Sequence, residues 1–240
     1  MKNSNPVFQQ ITTDKKNILG ISLLLLLAVT FTLRYIIYTY YPASVLETES
    51  PGLWLSLLNS ALLTAIILLN KNIIGWTWKQ MGMGKPVRWW QPALTAAISF
   101  VVLVAFSFYL IPLIIQTFGP HQNITHFETL SQNLPKLISV LMLVWITSAF
   151  LEELIFRAYL INTLDLLLGN NFLSAAMAVG LSALIFGLTH AYQGISGILI
   201  TTCIGLIFGV AFLLNGRRIW PLIFVHGIVD SITLLNFYNS

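Results

Sequence analysis

Seven apolar runs, at about 18–40, 53–69, 92–116, 136–168, 172–190, 195–214 and 219–237, alternate with short polar segments along the chain. A bilayer core about 30 Å thick is crossed by roughly 17–25 residues of helix rising 1.5 Å each, so each run is long enough to span it. The fourth run exceeds that length, and part of it is expected to project or to lie in the interface. Gly169-Asn170-Asn171 reads as the turn that separates it from the fifth. The first run follows Lys15 and Lys16, as a secretory signal would, but it is too long for one and no small-residue cleavage site follows; it reads as a retained span. The expected fold class is therefore all-α, a polytopic helical membrane protein with about seven transmembrane helices. Residues 1–135 form an amino-terminal membrane region of three spans, and residues 136–240 a second region of four.

Composition sharpens this picture. Hydrophobic side chains make up 57% and charged ones 8% of the 240 residues, against about 25% charged in a soluble domain. The formal charge of +4 does not call for nucleic acid, because the basic residues fall in short loops where topology explains them. With the amino terminus inside, the inner side collects Lys2, Lys15, Lys16, Lys71, Lys79, Lys85, Arg88, Arg217 and Arg218, and the outer side only Lys136. Trp76, Trp78, Trp89 and Trp90 among four of those bases form an interfacial segment lying on an anionic leaflet. Arg34, beside Tyr35, Tyr38, Tyr40 and Tyr41, is expected to snorkel to the headgroups. The single cysteine, Cys203, lies within an apolar run and offers neither a disulfide framework nor a thiolate metal site. His121, His126 and Glu128 occupy the longest polar loop and read as solvated residues, with weak metal binding as the alternative.

Ionisable groups inside three of the runs carry the chemistry. Such groups are costly in a membrane, by roughly 2.5–3.5 kcal/mol each on insertion scales, and are by default functional. On a helix, residues four apart share a face, since each step turns about 100°. Glu153 and Arg157 are expected to pair as a neutralised structural unit, while Glu152 points away and is free to face a cavity and act on water. Phe186 and His190 share a face of the fifth helix, and His226 and Asp230 a face of the seventh. Either histidine alone reads equally well as a packing residue; three helices presenting such groups together argue for one shared site.

Glu-Glu-x-x-x-Arg at 152, 153 and 157, Phe-x-x-x-His at 186 and 190, and His-x-x-x-Asp at 226 and 230 resemble, in order and spacing, the motifs of the CPBP family of intramembrane proteases. That family includes the type II CAAX prenyl endopeptidases and the Abi bacteriocin-processing and immunity proteins. The resemblance covers about residues 136–240. It implies a helical protease core with a polar intramembrane cavity, in which Glu152 and His190 activate a water and His226 and residue 230 stabilise the oxyanion. The third motif often ends in Asn in the family, and here it ends in Asp230. An ionised Asp donates no hydrogen bond, so that role needs its protonated form; otherwise Asp230 orients His226 or binds a metal. The resemblance also admits a zinc site made of His190, His226 and Glu152. The metal-free reading is favoured, because the same side chains fill every needed role without a cofactor.

The expectation is an integral, multi-pass enzyme that hydrolyses peptide bonds of a hydrophobic, lipidated or leader-bearing peptide, with CAAX-type processing resting on the resemblance alone. Its partners are the lipid bilayer and that peptide, in the plasma membrane of a prokaryote or an organelle membrane. The rival readings are a proton-coupled transporter, since intramembrane carboxylates and histidines also form proton relays, and a non-catalytic immunity or scaffold protein. One difficulty stands against the expected site. Glu152 lies far from the turn at Asn171, whereas His226 lies only eight residues beyond Arg218, an expected marker of the inner surface.

Overall fold

The computed structural model describes residues 12–40, 51–86, 88–120 and 130–240, with the side chains of 34, 37–40 and 51–57 excepted. The readings made for Lys2, the Arg34 side chain, Tyr38, Tyr40, Tyr41 and the loop candidates His121, His126 and Glu128 lie outside the described residues and side chains. Among the described residues 87% are helical and none is in a strand, so helix packing alone holds the fold. The main helices are α1 (Thr13–Tyr40), α2 (Pro51–Ile74), α3 (Trp90–Phe118), α4 (Leu134–Leu168), α5 (Phe172–Leu188), α6 (Gly194–Leu214) and α7 (Trp220–Asn239). Thr13–Leu33, α3, α4, Ala191–Leu214 and α7 are long and apolar enough to cross a membrane, and Leu58–Ile74 and α5 are shorter apolar helices. Large apolar side chains such as Leu24, Val101, Phe108, Met142 and Phe172 point outward, as lipid-facing positions do in a structure that satisfies its backbone internally.

Local chemistry sets the boundaries that matter for the site. α4 starts where the Asn133 side chain accepts the Lys136 N–H at 3.1 Å, with Pro135 in the first turn. At its other end Gly169 (φ 127°) and Asn170 (φ 52°) turn the chain, and Asn171 and Ser174 cap each other's backbone to start α5. α5 stops at Leu188 rather than reaching His190. There the Phe186 carbonyl accepts the Thr189 hydroxyl at 2.7 Å and the His190 Nδ1–H at 2.9 Å, so side chains take over the closing of the helix end. The next helix, α6, crosses α5 very closely. A Cβ at Gly187 would lie 1.9 Å from Thr202 Oγ1, and one at Gly209 would lie 2.7 Å from Val179 Cγ1, the small-residue contact that membrane helices use in place of a hydrophobic driving force.

The interior of α4 departs from the regular helix. From Trp145 to Ile161 it is π-helical, with hydrogen bonds closing over one residue more than in an α-helix. This segment contains the whole first motif. A wider turn rotates each residue by somewhat less than 100°, and Glu152 and Glu153 still differ in exposure, the one partly open and the other enclosed.

Two expectations about the basic end of the bundle change. Trp76 is buried, packing edge-on against Tyr159 with ring centroids 6.2 Å apart; Trp78, Trp89 and Trp90 are exposed, as interfacial residues should be. Arg217, taken from sequence as a marker of the surface, is buried. Its guanidinium donates to Asp165 and to the Asn162 side chain, and Ser174 donates to the other Asp165 oxygen. Asn162 in turn donates to the carbonyls of Ala158 and Gln80 at 2.7 and 3.2 Å, and the Ile219 N–H donates to the Gly82 carbonyl at 3.0 Å. This network binds the 79–83 and 216–219 segments to the end of α4.

That staple bears on the difficulty of depth. It ties the chain just before α7 to the end of α4, and His226 meets Glu153 at 2.9 Å.

Candidate active site

The five candidate residues on α4 and α7 converge. Arg157 Nη1 donates to Glu153 Oε1 at 3.0 Å, with both side chains inaccessible to solvent, as the spacing of four requires. The same carboxylate oxygen accepts from His226 Nδ1 at 2.9 Å across to α7. An oxygen that serves two donors fixes the ring, and with Nδ1–H committed to Glu153 the other nitrogen, Nε2, is left to act. Nε2 faces Ser148 Oγ at 3.2 Å, Asp230 Oδ2 at 3.5 Å and Glu152 Oε2 at 4.0 Å.

Arg157 is held by rings as well as by charge. Its guanidinium lies between Phe186 of α5, 4.8 Å from the ring centroid, and Phe208 of α6, at 5.2 Å. Cation–π contact offsets part of the cost of burying it. Phe186 also stacks edge-on with Phe156 and His190 at 4.9 and 4.8 Å, and Phe208 with His226 at 5.6 Å. The second motif thus reaches the first through Phe186. Trp145 supports the other side of the histidine: its indole N–H donates to Ser231 at 3.1 Å, and its ring lies where a Cβ at Gly227 would sit, 2.7 Å away, so only glycine fits beside His226.

Glu152 and Glu153 are separated in kind. Glu153 is fully enclosed, whereas the Glu152 side chain keeps 21% of its accessibility and lines a cavity of about 70 Å³ with Thr30, Asn59, Thr147 and Thr189. A water needs roughly 10–15 Å³ by a comparable measure and two to four polar partners. The cavity meets both conditions. His190, next to Thr189, is half-buried just past the end of α5; its Nδ1–H is committed to the Phe186 carbonyl, which leaves Nε2 as its acceptor when the ring is neutral.

Among the described residues no three His, Cys, Asp or Glu side chains are grouped so as to hold a metal ion. His226 spends Nδ1 on Glu153 and turns Nε2 toward Glu152, an arrangement that an imidazole acting on water and a metal-ligating imidazole share. Several contributors escaped the sequence reading. Ser148 stands four residues before Glu152, a spacing that could have found it; Phe208 lies on a helix without charged residues, and Thr30 and Asn59 are neutral polar residues outside any motif.

Compared with protein-family models, residues 134–232 match that of the Rce1-like type II CAAX prenyl endopeptidases, the family group suspected from the three motifs. No curated protein matches the chain significantly, and no solved structure does. The family is one of CAAX-type proteases, and together with the long apolar helices it describes an integral, multi-pass membrane protein.

Proposed function

Taking residues 134–232 as an Rce1-like type II CAAX prenyl endopeptidase domain, we propose that the chain is a glutamate-dependent intramembrane endopeptidase. In this reading α2 and α5 also cross the bilayer, giving seven spans. The observation that carries it is the division between the two adjacent acids. Glu153 is spent on Arg157 and His226, and Glu152 alone reaches a polar cavity large enough for water.

Glu152 takes a proton from a water whose oxygen attacks the scissile carbonyl carbon. The tetrahedral oxyanion accepts a hydrogen bond from the doubly protonated His226 through Nε2–H, the ring being aimed by Glu153 and Ser148. When the C–N bond breaks, Glu152 returns its proton to the leaving amine. His190 shares the handling of the water, and Asp230 orients His226. The mechanism needs no metal. The substrate is a hydrophobic, lipidated or leader-bearing peptide, with a prenylated carboxy-terminal CAAX peptide the first choice by family.

The test is cleavage of a fluorogenic prenylated CAAX peptide by the detergent-purified protein and its Glu152→Gln variant, each with and without a zinc chelator. The expected result is turnover abolished in the variant and unchanged by the chelator. Chelation that stops turnover, with zinc restoring it, would overturn the metal-free mechanism; equal turnover by parent and variant would overturn the role of Glu152.

A further inference from the structure

The four described arginines outside the amino-terminal helix divide into two kinds. Arg157 and Arg217 are buried and each has a carboxylate partner. Arg88 and Arg218 have none among the described residues, and both line one cavity of about 560 Å³ together with Trp90, Gln91 and Asn215. Among the described residues no acidic side chain lines it. Two guanidiniums without counter-ions facing one cavity make an anion site, and planar guanidinium suits the oxygens of a phosphate.

Other features narrow the anion. Arg218 is set in place rather than mobile: Nη1 donates to the Asn215 carbonyl at 2.8 Å and Nε to the Lys85 carbonyl at 3.4 Å. Arg88 lies over the Trp90 ring, 5.9 Å from its centroid. The start of α3 at Trp90 adds backbone N–H groups and the positive end of a helix dipole. Asn215 is buried beside the cavity and donates through Nδ2 to the Arg218 carbonyl at 3.4 Å, which ties the turn that carries Arg218. Leu94 and the strongly exposed Leu214 line the same cavity, opening it onto the apolar outer face of α3 at Ile98 and Val101. The exposed Trp78, Trp89, Trp90 and Trp220 mark this level as that of the headgroups.

We infer that this cavity between the start of α3 and the α6–α7 turn binds the headgroup phosphate of an anionic phospholipid, with the acyl chains running along Leu94 and Leu214. The site lies outside the peptidase chemistry, and the inference does not depend on that reading.

The full chain in detergent is titrated with phosphatidylglycerol and, separately, phosphatidylcholine, and retained lipid is counted by native mass spectrometry. One phosphatidylglycerol is retained in preference to phosphatidylcholine, whose phosphate charge is offset by its own quaternary ammonium. Arg88→Gln/Arg218→Gln weakens retention about thirtyfold, as the loss of two charges near a lipid phosphate should. Lys71→Gln/Lys79→Gln, with the same loss of charge at the same end of the bundle but outside the cavity, leaves retention nearly unchanged. Gln91→Glu, which puts a carboxylate into the cavity without touching the carbonyls that Arg218 holds, also weakens it and covers the case in which the double arginine variant fails to fold. Equal weakening by the arginine and lysine pairs would overturn the site in favour of general surface charge. Equal retention of the two lipids would overturn the choice of an anionic headgroup, and displacement of the lipid by inorganic phosphate would make the ligand a soluble phosphate.

Discussion

Replacing Glu153 with Ala should damage the fold, not only the chemistry, and the size of the damage can be worked from its contacts. Glu153 Oε1 receives Arg157 at 3.0 Å and His226 at 2.9 Å with no solvent access. Removing one partner of a buried ion pair costs about 3–5 kcal/mol, because the other charge is left uncompensated. The Phe186 and Phe208 rings still hold the guanidinium, so the lower half of that range, about 3–4 kcal/mol, is expected. For a chain of this length such a loss corresponds to a melting temperature lower by about 10 °C. Arg157→Ala should cost a similar amount, and the double variant clearly less than the sum of the two, since it leaves no orphaned charge. The assay is thermal unfolding in one detergent, followed by tryptophan fluorescence, for parent, both single variants and the double. Additive losses across that cycle would refute the claim that the pair is a coupled buried unit. A melting temperature unmoved by Glu153→Ala would refute its structural role outright.

Glu152→Gln should reduce kcat by about a hundredfold or more, the range of a lost general base, while the melting point stays close to the parent's, because a partly exposed carboxylate at a polar cavity carries little of the fold. Ser148→Ala should lower kcat about tenfold through one hydrogen bond to His226 worth about 1.5 kcal/mol, with KM for the peptide unchanged; a change in KM alone would place Ser148 on the substrate instead. Gly187→Ala puts a Cβ 1.9 Å from Thr202 Oγ1 and 2.7 Å from the Ile198 carbonyl, and should cost about 1–3 kcal/mol by overpacking. Thr202→Ala should recover part of that loss in the same melting assay, since the backbone contact remains.

The i,i+4 spacing placed Glu153 on Arg157 from the sequence alone, because that contact is local and any helix that carries both residues makes it. The meeting of His226 with Glu153 was not read from the sequence, where Glu153 was assigned to Arg157 alone, since it depends on how α7 is set against α4. The sequence reading also sent Glu152 about 100° away from Glu153, and the two acids do face different nitrogens of the imidazole, the one partly exposed and the other enclosed. Periodicity assumes a regular helix, however, and nothing in Trp145–Ile161 announces its π-helical hydrogen bonding. His190 was placed on α5 for a similar reason: an apolar run does not show that side chains at its end will compete for the carbonyls. Thr30 and Asn59 were invisible because a neutral polar residue in a span has many uses, and only the packing of α1 and α2 shows that these two line the cavity at Glu152.

The Arg217 network explains why the local and long-range readings diverged. An arginine next to another arginine after an apolar run looks like a topological marker, and its charge was counted that way. Asp165, the acid that neutralises it, lies 52 residues earlier, at the end of a run already longer than a bilayer needs. The excess length of α4 and the burial of Arg217 are one fact. The end of α4 extends far enough to receive Arg217, the short turn through Arg217 to Ile219 leads straight into α7, and α7 starts already tied to α4. Arg217→Gln should therefore reduce peptidase activity although it lies nine residues before His226. Its effect should appear as lower kcat together with lower melting temperature. A variant that lost stability but kept full kcat at permissive temperature would show that the depth of His226 is set by its contacts with Glu153 and Trp145 and not by the staple.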